Sequence, residues 1–376
     1  MDSCPFPLEV LGLIVDQLDD FLTLKSCSYV CKSLLPSCRA HLFRDLQLRP
    51  AGRTSPESWN HFLTRAPHLL PYIQQLIVLC ERSSWVSWDP VLPTLLAKLQ
   101  NIGEIELHGC DLPCLPTPLS AAIYALFHSP SMKHVRLRLC VLPSSCFDLF
   151  GPALESIVLS DVAVEPELMV HALEASHPAR PKHLMIEGKA VGPVVDWLIP
   201  SSERNELEDL QSLSLKYQGD DPEALRAVER LLQHAGSLQT LHIGLYPAGH
   251  QSMPELCPAP CICYNQQLRE LRLSHFDMDI SSPTNQLPWL GSLLSQMTTQ
   301  YRVQKITVDA RHRPCLQLPI LDQTGWTDVD GILARNAPSC LEDVHIRIGD
   351  AYNASPGEVS SCMPMLSAKG ILRVTL

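Results

Sequence analysis

Two short stretches thirty residues apart decide the fold: Ile102–Leu107 (IGEIEL) and Met132–Leu137 (MKHVRL). In each stretch, apolar residues occupy the first, fourth and sixth positions: Ile102, Ile105 and Leu107 in one, and Met132, Val135 and Leu137 in the other. The end of each stretch therefore alternates apolar with polar residues, which is typical of a short β-strand with one buried face.

The same pattern recurs along most of the chain at a nearly constant spacing. The gaps between successive middle residues average about 30 residues, and twelve units at one period indicate a repeat architecture. Their middle residues are Leu46, Leu76, Ile105, Val135, Ile157, Leu184, Leu213, Leu241, Leu271, Ile306, Val344 and Val374.

Amphipathic segments lie between the predicted strands. In the clearest, Leu225, Val228, Leu231 and Leu232 form one helical stripe, and Gly236 follows as a stop signal. Strand, turn, helix and return at this length predict leucine-rich repeats: an irregular α/β solenoid with a curved parallel sheet over residues 49–376, in about eleven strand–helix units. The helices are expected at Ser120–His128, Pro166–Ser176, Glu223–Ala235 and Leu290–Met297.

The first 48 residues form a different unit: before the first repeat, which overlaps their end at Leu46, they lack the repeat pattern and predict three short helices. Pro7 stands at a helix start, where its missing N–H costs nothing. The first helix carries a wide apolar stripe and the second a further one, and Pro36 marks a break before a third. Three small helices bury little surface on their own. We therefore expect apolar residues of this segment to face a partner.

Two spaced motifs stand out in this segment: Phe6–Leu11 (FPLEVL), followed by Leu24, Cys27, Val30, Cys31 and Lys32. In their order and separation they resemble an F-box, and the resemblance covers residues 5–48. Phe6 stands where leucine is usual and Leu34 where tryptophan is common. Contact with a Skp-type adaptor is what the resemblance implies for Phe6, Pro7, Leu8, Leu11, Ile14, Leu18, Leu24, Cys27, Val30, Cys31 and Leu34.

An F-box followed by irregular leucine-rich repeats is similar to the F-box/leucine-rich-repeat family over essentially the whole chain. The resemblance implies a non-catalytic substrate receptor of a cullin–RING ubiquitin ligase, whose F-box docks on the adaptor while the repeats bind a target protein. One alternative is a ligase-independent interaction scaffold that uses its repeats alone. No cofactor is expected, because no nucleotide-binding or hydrolase motif occurs.

A second alternative is a metal-binding regulator built on the loop from Cys257 to Cys263, with His250 upstream. Zinc sites usually combine paired Cys-x-x-Cys knuckles. The spacing here is three residues and then one, so a proline-rich surface loop is the favoured interpretation.

The target is expected on the concave face of the solenoid, where residues beside each middle residue point away from the core. Their charges are mixed, and no target class is specified. The candidate contacts are Glu104, Glu106, His134, Arg136, His183, Met185, His242, Arg272, Lys305 and His345.

Composition narrows the functional classes. The 376 residues hold 29 Lys and Arg against 40 Asp and Glu, a net charge of −11 that argues against a nucleic-acid binder. No apolar run approaches a membrane span, and no signal peptide is recognised. The fifteen cysteines are scattered and odd in number, which predicts reduced thiols and a cytoplasmic or nuclear location.

Overall fold

A computed structural model describes residues 7–30, 32–80, 85–165, 179–199, 207–218, 221–246, 258–277, 286–297, 300–311, 323–336, 338, 340–348 and 356–375. The described residues belong to two compact units. The first lies within residues 1–158 and 162–179, and the second within 159–161 and 180–376.

The chain begins with three short helices, α1 (Leu8–Asp16), α2 (Phe21–Val30) and α3 (Leu35–Leu42). Pro7 occupies the N-cap of α1 with φ −56°, and Pro36 lies in the first turn of α3, where proline interrupts no helical hydrogen bond. Helix α3 packs against both α1 and α2. The first repeat strand already begins at Asp45, inside the segment 1–48.

The first unit continues with strands that pair in parallel from β1 to β4, in the predicted register of the repeats: Leu46 lies opposite Leu76, Leu76 opposite Ile105, and Ile105 opposite Val135. The boundary between the units falls within β6, and β5 and β7 form a separate parallel pair. The strands are β1 (Asp45–Leu48), β2 (Gln75–Leu79), β3 (Glu104–His108), β4 (His134–Arg138), β5 (Val141–Pro143), β6 (Ser156–Ser160) and β7 (Ala163–Glu165).

Helical segments connect these strands. The α-helices are α4 (Pro56–Arg65), α5 (Trp85–Trp88), α6 (Leu92–Leu96) and α7 (Thr117–Phe127), and 3₁₀ turns cover Gly52–Thr54, Pro67–Tyr72 and Ser144–Leu149. Helix α3 packs against the second of these turns, and the rings of Phe43 and Phe62 stack 6.1 Å apart between α3 and α4. The three-helix segment is thus continuous with the first repeats through an apolar joint.

The second unit repeats the same plan, with neighbouring strands from β8 to β14 all pairing in parallel. The strands are β8 (His183–Glu187), β9 (Ser212–Gln218), β10 (Thr240–Tyr246), β11 (Glu270–Asp277), β12 (Lys305–Arg311), β13 (Asp343–Ile348) and β14 (Leu372–Thr375). The helices are α8 (Val191–Leu198), α9 (Pro222–His234), α10 (Leu287–Ser295), α11 (Gln323–Asn336), α12 (Pro356–Cys362) and α13 (Pro364–Ala368).

The predicted repeat architecture is confirmed. Twelve of the fourteen strands among the described residues carry a predicted middle residue, and each of these residues is buried except Val374, which is half-buried. Helices α7, α9 and α10 occupy the predicted segments, although α7 and α10 each begin three residues earlier because Pro118 and Pro288 start their first turns. The helix predicted at Pro166–Ser176 lies outside the described residues. Each unit therefore has the α/β layering of leucine-rich repeats.

One pair of cysteines departs from the expectation of reduced thiols. Cys80 and Cys110 follow β2 and β3 and form a disulfide, with their Cα atoms 5.7 Å apart. The parallel register brings these two turns side by side, within the range that a disulfide spans. Their pairing depends on strand neighbours that a count of cysteines does not reveal.

Candidate functional site

The three N-terminal helices share a small apolar core. Val15, Leu24 and Cys38 are buried at its centre, one from each helix. Leu18, Cys27, Leu34 and Leu42 pack against them and are partly buried. This core uses one face of each helix and leaves other apolar residues uncovered.

A group of large apolar side chains is exposed on α1 and α2, and we name it the helical apolar patch. Leu13 is 64% exposed and Val30 is 74% exposed, values that contrast with the buried residues of the same helices. Exposed apolar side chains concentrated on two consecutive short helices are typical of a protein-binding surface. The patch comprises Val10, Leu13, Ile14, Phe21, Leu22, Tyr29 and Val30.

The predicted adaptor-binding residues divide between this patch and the core. Ile14 and Val30 belong to the patch, and Pro7 is exposed at the start of α1. Leu11 and Leu24 are buried, while Leu18, Cys27 and Leu34 are partly buried against the core. Leu8 is the first residue of α1. Phe6 and Cys31 lie outside the described residues.

Five patch residues were missed by sequence reasoning: Val10, Leu13, Phe21, Leu22 and Tyr29. On α1, Val10, Leu13 and Ile14 fall at i, i+3 and i+4, a second stripe beside the one that faces the core. On α2, Leu22 and Tyr29 are seven residues apart and share a face. A search for a second stripe on each helix would have found most of them.

Acidic groups border the patch and order the turn between its helices. The Asp20 carboxylate accepts hydrogen bonds from the Thr23 backbone amide at 2.6 Å and from the Thr23 hydroxyl at 2.7 Å, which caps α2. The hydroxyl bond, followed by the amide bond, lowers the pKa of Asp20. On the other side, Asp16 contacts His41 of α3 at 2.8 Å. The Asp16–His41 contact joins α1 to α3, whereas the Asp20 contacts order the start of α2.

In the first unit, the open face of the strands carries predicted target-binding residues in contact with one another. Arg136 of β4 lies 2.8 Å from a carboxylate oxygen of Glu104 and 4.0 Å from one of Glu106, both on β3. Arg138 lies 3.5 Å from Glu106. His134 lies opposite Glu104 in the strand register. The face thus presents a compact mixed-charge cluster.

In the second unit, the open strand face is organised around Asp309 of β12. Arg272 of β11 donates to one Asp309 carboxylate oxygen from Nε at 2.9 Å and from Nη2 at 2.7 Å. Arg347 of β13 approaches the other oxygen at 3.8 Å. Lys305 pairs with Glu270 at 3.1 Å, and Lys216 pairs with Glu187. Ion pairs that are partly buried contribute more to stability than fully exposed pairs do.

Histidines of the same face are held by hydroxyl groups. His242 contacts the Ser214 hydroxyl through Nδ1 at 3.0 Å and the Ser274 hydroxyl through Nε2 at 2.8 Å. His345 contacts the Thr375 hydroxyl at 2.8 Å. Burial is the main cause that lowers the pKa of His345, and the nearby Arg347 adds to it. His183 and Met185 lie at the first strand of this unit.

The face residues that sequence reasoning missed lie one step further along the same alternation. Lys216, Asp309 and Arg347 each follow a predicted face position by two residues. Only the two residues beside each middle residue were counted, whereas β9 and β12 are seven residues long and β13 six. Extending the alternation to the strand ends would have included them.

Neither a metal centre nor a membrane segment is found in the part of the chain that the structure describes. No group of three or more His, Cys, Asp or Glu residues there is arranged to hold an ion. Cys257 and His250 of the candidate metal loop lie outside the described residues, whereas Cys261 and Cys263 lie within them. No helix among the described ones has the length and apolar character needed to cross a bilayer.

Two comparisons with known proteins give no relative. No protein-family model matches the chain, and no curated protein matches it.

Proposed function

We propose that this protein is the substrate-recognition subunit of a Skp-cullin-F-box type ubiquitin ligase and performs no chemistry itself. The observation that carries the proposal is the helical apolar patch on α1 and α2. The F-box resemblance of residues 5–48 supports the identity of the partner, a Skp-type adaptor.

The patch suits a permanent docking role for a physical reason. Each large apolar side chain left in water forfeits about 1.5–3 kcal/mol relative to full burial. Seven such side chains on two helices represent a substantial driving force for association. Since α3 packs against both helices, a partner meets a surface that is already ordered, which lowers the entropic cost of binding.

The open strand faces are the proposed target-binding surfaces. Their side chains point away from the buried core and present both signs of charge, as in the Arg136–Glu104 and Arg272–Asp309 pairs. Mixed charges at fixed spacing give specificity for a protein surface of complementary pattern more than they give affinity. Cytoplasmic or nuclear activity is part of this proposal.

The mechanism that follows is one of proximity. The α1–α3 segment binds the adaptor and through it a cullin–RING assembly, while a strand face holds the target. Joining the two binding events on one chain raises the effective concentration of the target near the ubiquitin-conjugating enzyme. No residue of this chain is required to accept or donate a proton.

The experiment is co-purification of the full chain with a purified Skp-type adaptor. Leu13→Asp and Val30→Asp place charges in the patch at positions too exposed to disturb the core. We expect each variant to bind the adaptor at least about tenfold more weakly, equivalent to about 1.4 kcal/mol.

Leu139→Asp is the matched control. Leu139 is also a large exposed apolar residue, and its φ of 52° is tolerated by aspartate. This variant should bind the adaptor as the wild type does. Undiminished binding by both patch variants, or no binding by the wild type, would overturn the proposal. A complex that contains the adaptor but never a cullin would support the ligase-independent scaffold instead.

A further inference from the structure

The loop that leads into β11 holds two reduced thiols in contact at the surface. The Sγ atoms of Cys261 and Cys263 are 2.7 Å apart. Cys263 is exposed and Cys261 is partly exposed, so reagents in solution can reach the pair. A disulfide bond is about 2.05 Å long, so a small movement of the two sulfur atoms would join them.

The residue between the two cysteines fixes their positions. Ile262 is fully buried, and its backbone amide donates to the Gln296 side chain at 2.9 Å. Its carbonyl accepts from the Tyr301 hydroxyl at 3.0 Å and from the backbone amide of Asn265 at 3.0 Å. With Ile262 held on both sides, the flanking thiols are kept together at the surface.

Other contacts extend this anchorage. The Gln296 amide also donates to the carbonyl of Pro260 at 3.2 Å, so one side chain holds two neighbouring backbone groups. Burial is the main cause that raises the pKa of Tyr301 to about 12, which keeps its hydroxyl protonated as the donor to Ile262. The anchor is therefore intact throughout the physiological pH range.

We infer that Cys261 and Cys263 form a dithiol site for thiol–disulfide exchange with small disulfides of the glutathione class, closing to a Cys261–Cys263 disulfide. A metal ion would require further donors, and no third His, Cys, Asp or Glu joins the pair among the described residues. The inference is independent of ligase membership.

The exchange balances in two steps. One protein thiolate attacks a sulfur of glutathione disulfide; a protein–glutathione S–S bond forms and one glutathione thiolate leaves. The second protein thiol then loses its proton and attacks the protein-bound sulfur, and the second glutathione leaves. Two protein thiols are oxidised, one glutathione disulfide is reduced to two thiols, and the two thiol protons are transferred to them.

Contact between the sulfur atoms makes the second step fast. A neighbouring nucleophile held in place reacts with an effective concentration far above that of any free thiol. The mixed disulfide should therefore not accumulate. The hydrogen bond between Cys263 and Cys261 is the main cause that raises the pKa of Cys263, so the rate should increase with pH as thiolate forms.

The test uses the full-length reduced protein incubated with glutathione disulfide, then alkylated and digested with trypsin. Cys257, Cys261 and Cys263 fall on one peptide, residues 231–269. We expect that peptide to lose two hydrogens, with Cys257 alkylated and fragment ions that place the bond between Cys261 and Cys263. Cys257→Ser and Cys114→Ser should close to the same extent as the wild type.

Single variants of the pair separate the two steps. In Cys261→Ser, the glutathione adduct should persist on Cys263, because the resolving thiol is gone. A wild-type protein that accumulates the adduct, pairs Cys257 instead, or remains fully alkylated at Cys261 and Cys263 would overturn the inference.

Discussion

The carboxylate of Asp330, within α11, accepts a hydrogen bond at 2.8 Å from the backbone amide of Met365, which lies 35 residues later in α13. The other carboxylate oxygen accepts from the amide of Leu366 at 2.9 Å. Helix α13 has no cap from its own N-cap residue, Met363. A buried side chain of one helix thus satisfies the first free amides of another.

Removing this contact should destabilise the second unit. Asp330→Ala leaves two amides without an acceptor, and we expect the free energy of unfolding to fall by about 2–3 kcal/mol. Asp330→Asn keeps one acceptor oxygen and should lose less. Asp328→Ala, at an exposed position of the same helix, should change it by less than about 0.5 kcal/mol. Urea unfolding followed by circular dichroism measures the difference; equal midpoints for Asp330→Ala and Asp328→Ala would contradict this role.

The second prediction concerns Asn265, a fully buried side chain at the C-terminal end of α9. Its amide donates to the carbonyls of Leu232 at 3.0 Å and Ala235 at 2.8 Å. Asn265→Ala should cost about 2 kcal/mol of stability, because two buried carbonyls lose their donor. Asn265→Asp should cost more stability at pH 7, because a charged carboxylate oxygen would replace the NH₂ group and repel both carbonyl oxygens.

A pH series distinguishes loss of the donor from loss of packing. The pKa of the aspartate in Asn265→Asp should be raised by burial beside two carbonyl oxygens, so the protonated form is favoured in the folded state. The difference in stability between Asn265→Asp and Asn265→Ala should therefore shrink as the pH falls towards about 4. Thermal unfolding of both variants and of the exposed control Gln266→Ala would measure this. A deficit that stays constant with pH would exclude the donor explanation.

The strands were predictable because their register follows from local alternation. Ile105 and Val135 must face one core, and parallel pairing then fixes the residues beside them. The first residues of the helices were harder to predict, because α7 and α10 begin three residues before the predicted segments, with Pro118 and Pro288 in their first turns. The Asp330–Met365 contact depends on how α11 packs against α13, which the pattern does not specify. The predicted register places the turns after β2 and β3 side by side, but it does not specify that Cys80 and Cys110 form a bond.

The candidate site was predictable in position more than in detail. The apolar stripes indicated that the first helices expose apolar residues, but Leu11 and Leu24 are buried in the core, whereas Leu13 and Tyr29 are exposed. Which stripe faces inward depends on how α3 packs against α1 and α2. That packing is a tertiary interaction, which the local pattern does not specify. The same limit applies to Asp309, whose position between two arginines follows from strand neighbours.

The third prediction ranks two ion pairs of the second unit. Arg272 donates two hydrogen bonds to an Asp309 carboxylate whose side chain is largely buried, whereas Lys305 and Glu270 make a single, more exposed contact. Double-mutant cycles to alanine should give a coupling free energy of about 1 kcal/mol for Arg272–Asp309 and about 0.3 kcal/mol for Lys305–Glu270. Raising the salt concentration should weaken the second more. A reversed order would show that geometry and burial do not control these pairs.

The last prediction is a pH dependence of stability that comes from His345. His345 is 9% exposed, and its imidazole hydrogen-bonds the Thr375 hydroxyl. Besides burial, the charges of Arg347 and Arg373 lower its pKa, whereas the carboxylates of Asp343 and Asp309 raise it. Burial, followed by the charge of Arg347, lowers the pKa of His345 in the folded state below its ordinary value of about 6.5.

The sign follows from proton linkage. Between the lowered folded pKa and the ordinary unfolded pKa, the unfolded chain binds more protons, so stability increases with pH. The contribution is complete above about pH 6.5 and is lost as the pH falls through the folded pKa. Since other histidines also titrate, the measurable quantity is the difference between the wild type and His345→Gln, which keeps a hydrogen-bonding side chain without a charge change. Urea midpoints at intervals from pH 7.5 to pH 5 should show the wild type losing stability faster than the variant; parallel curves would rule out His345 as the source.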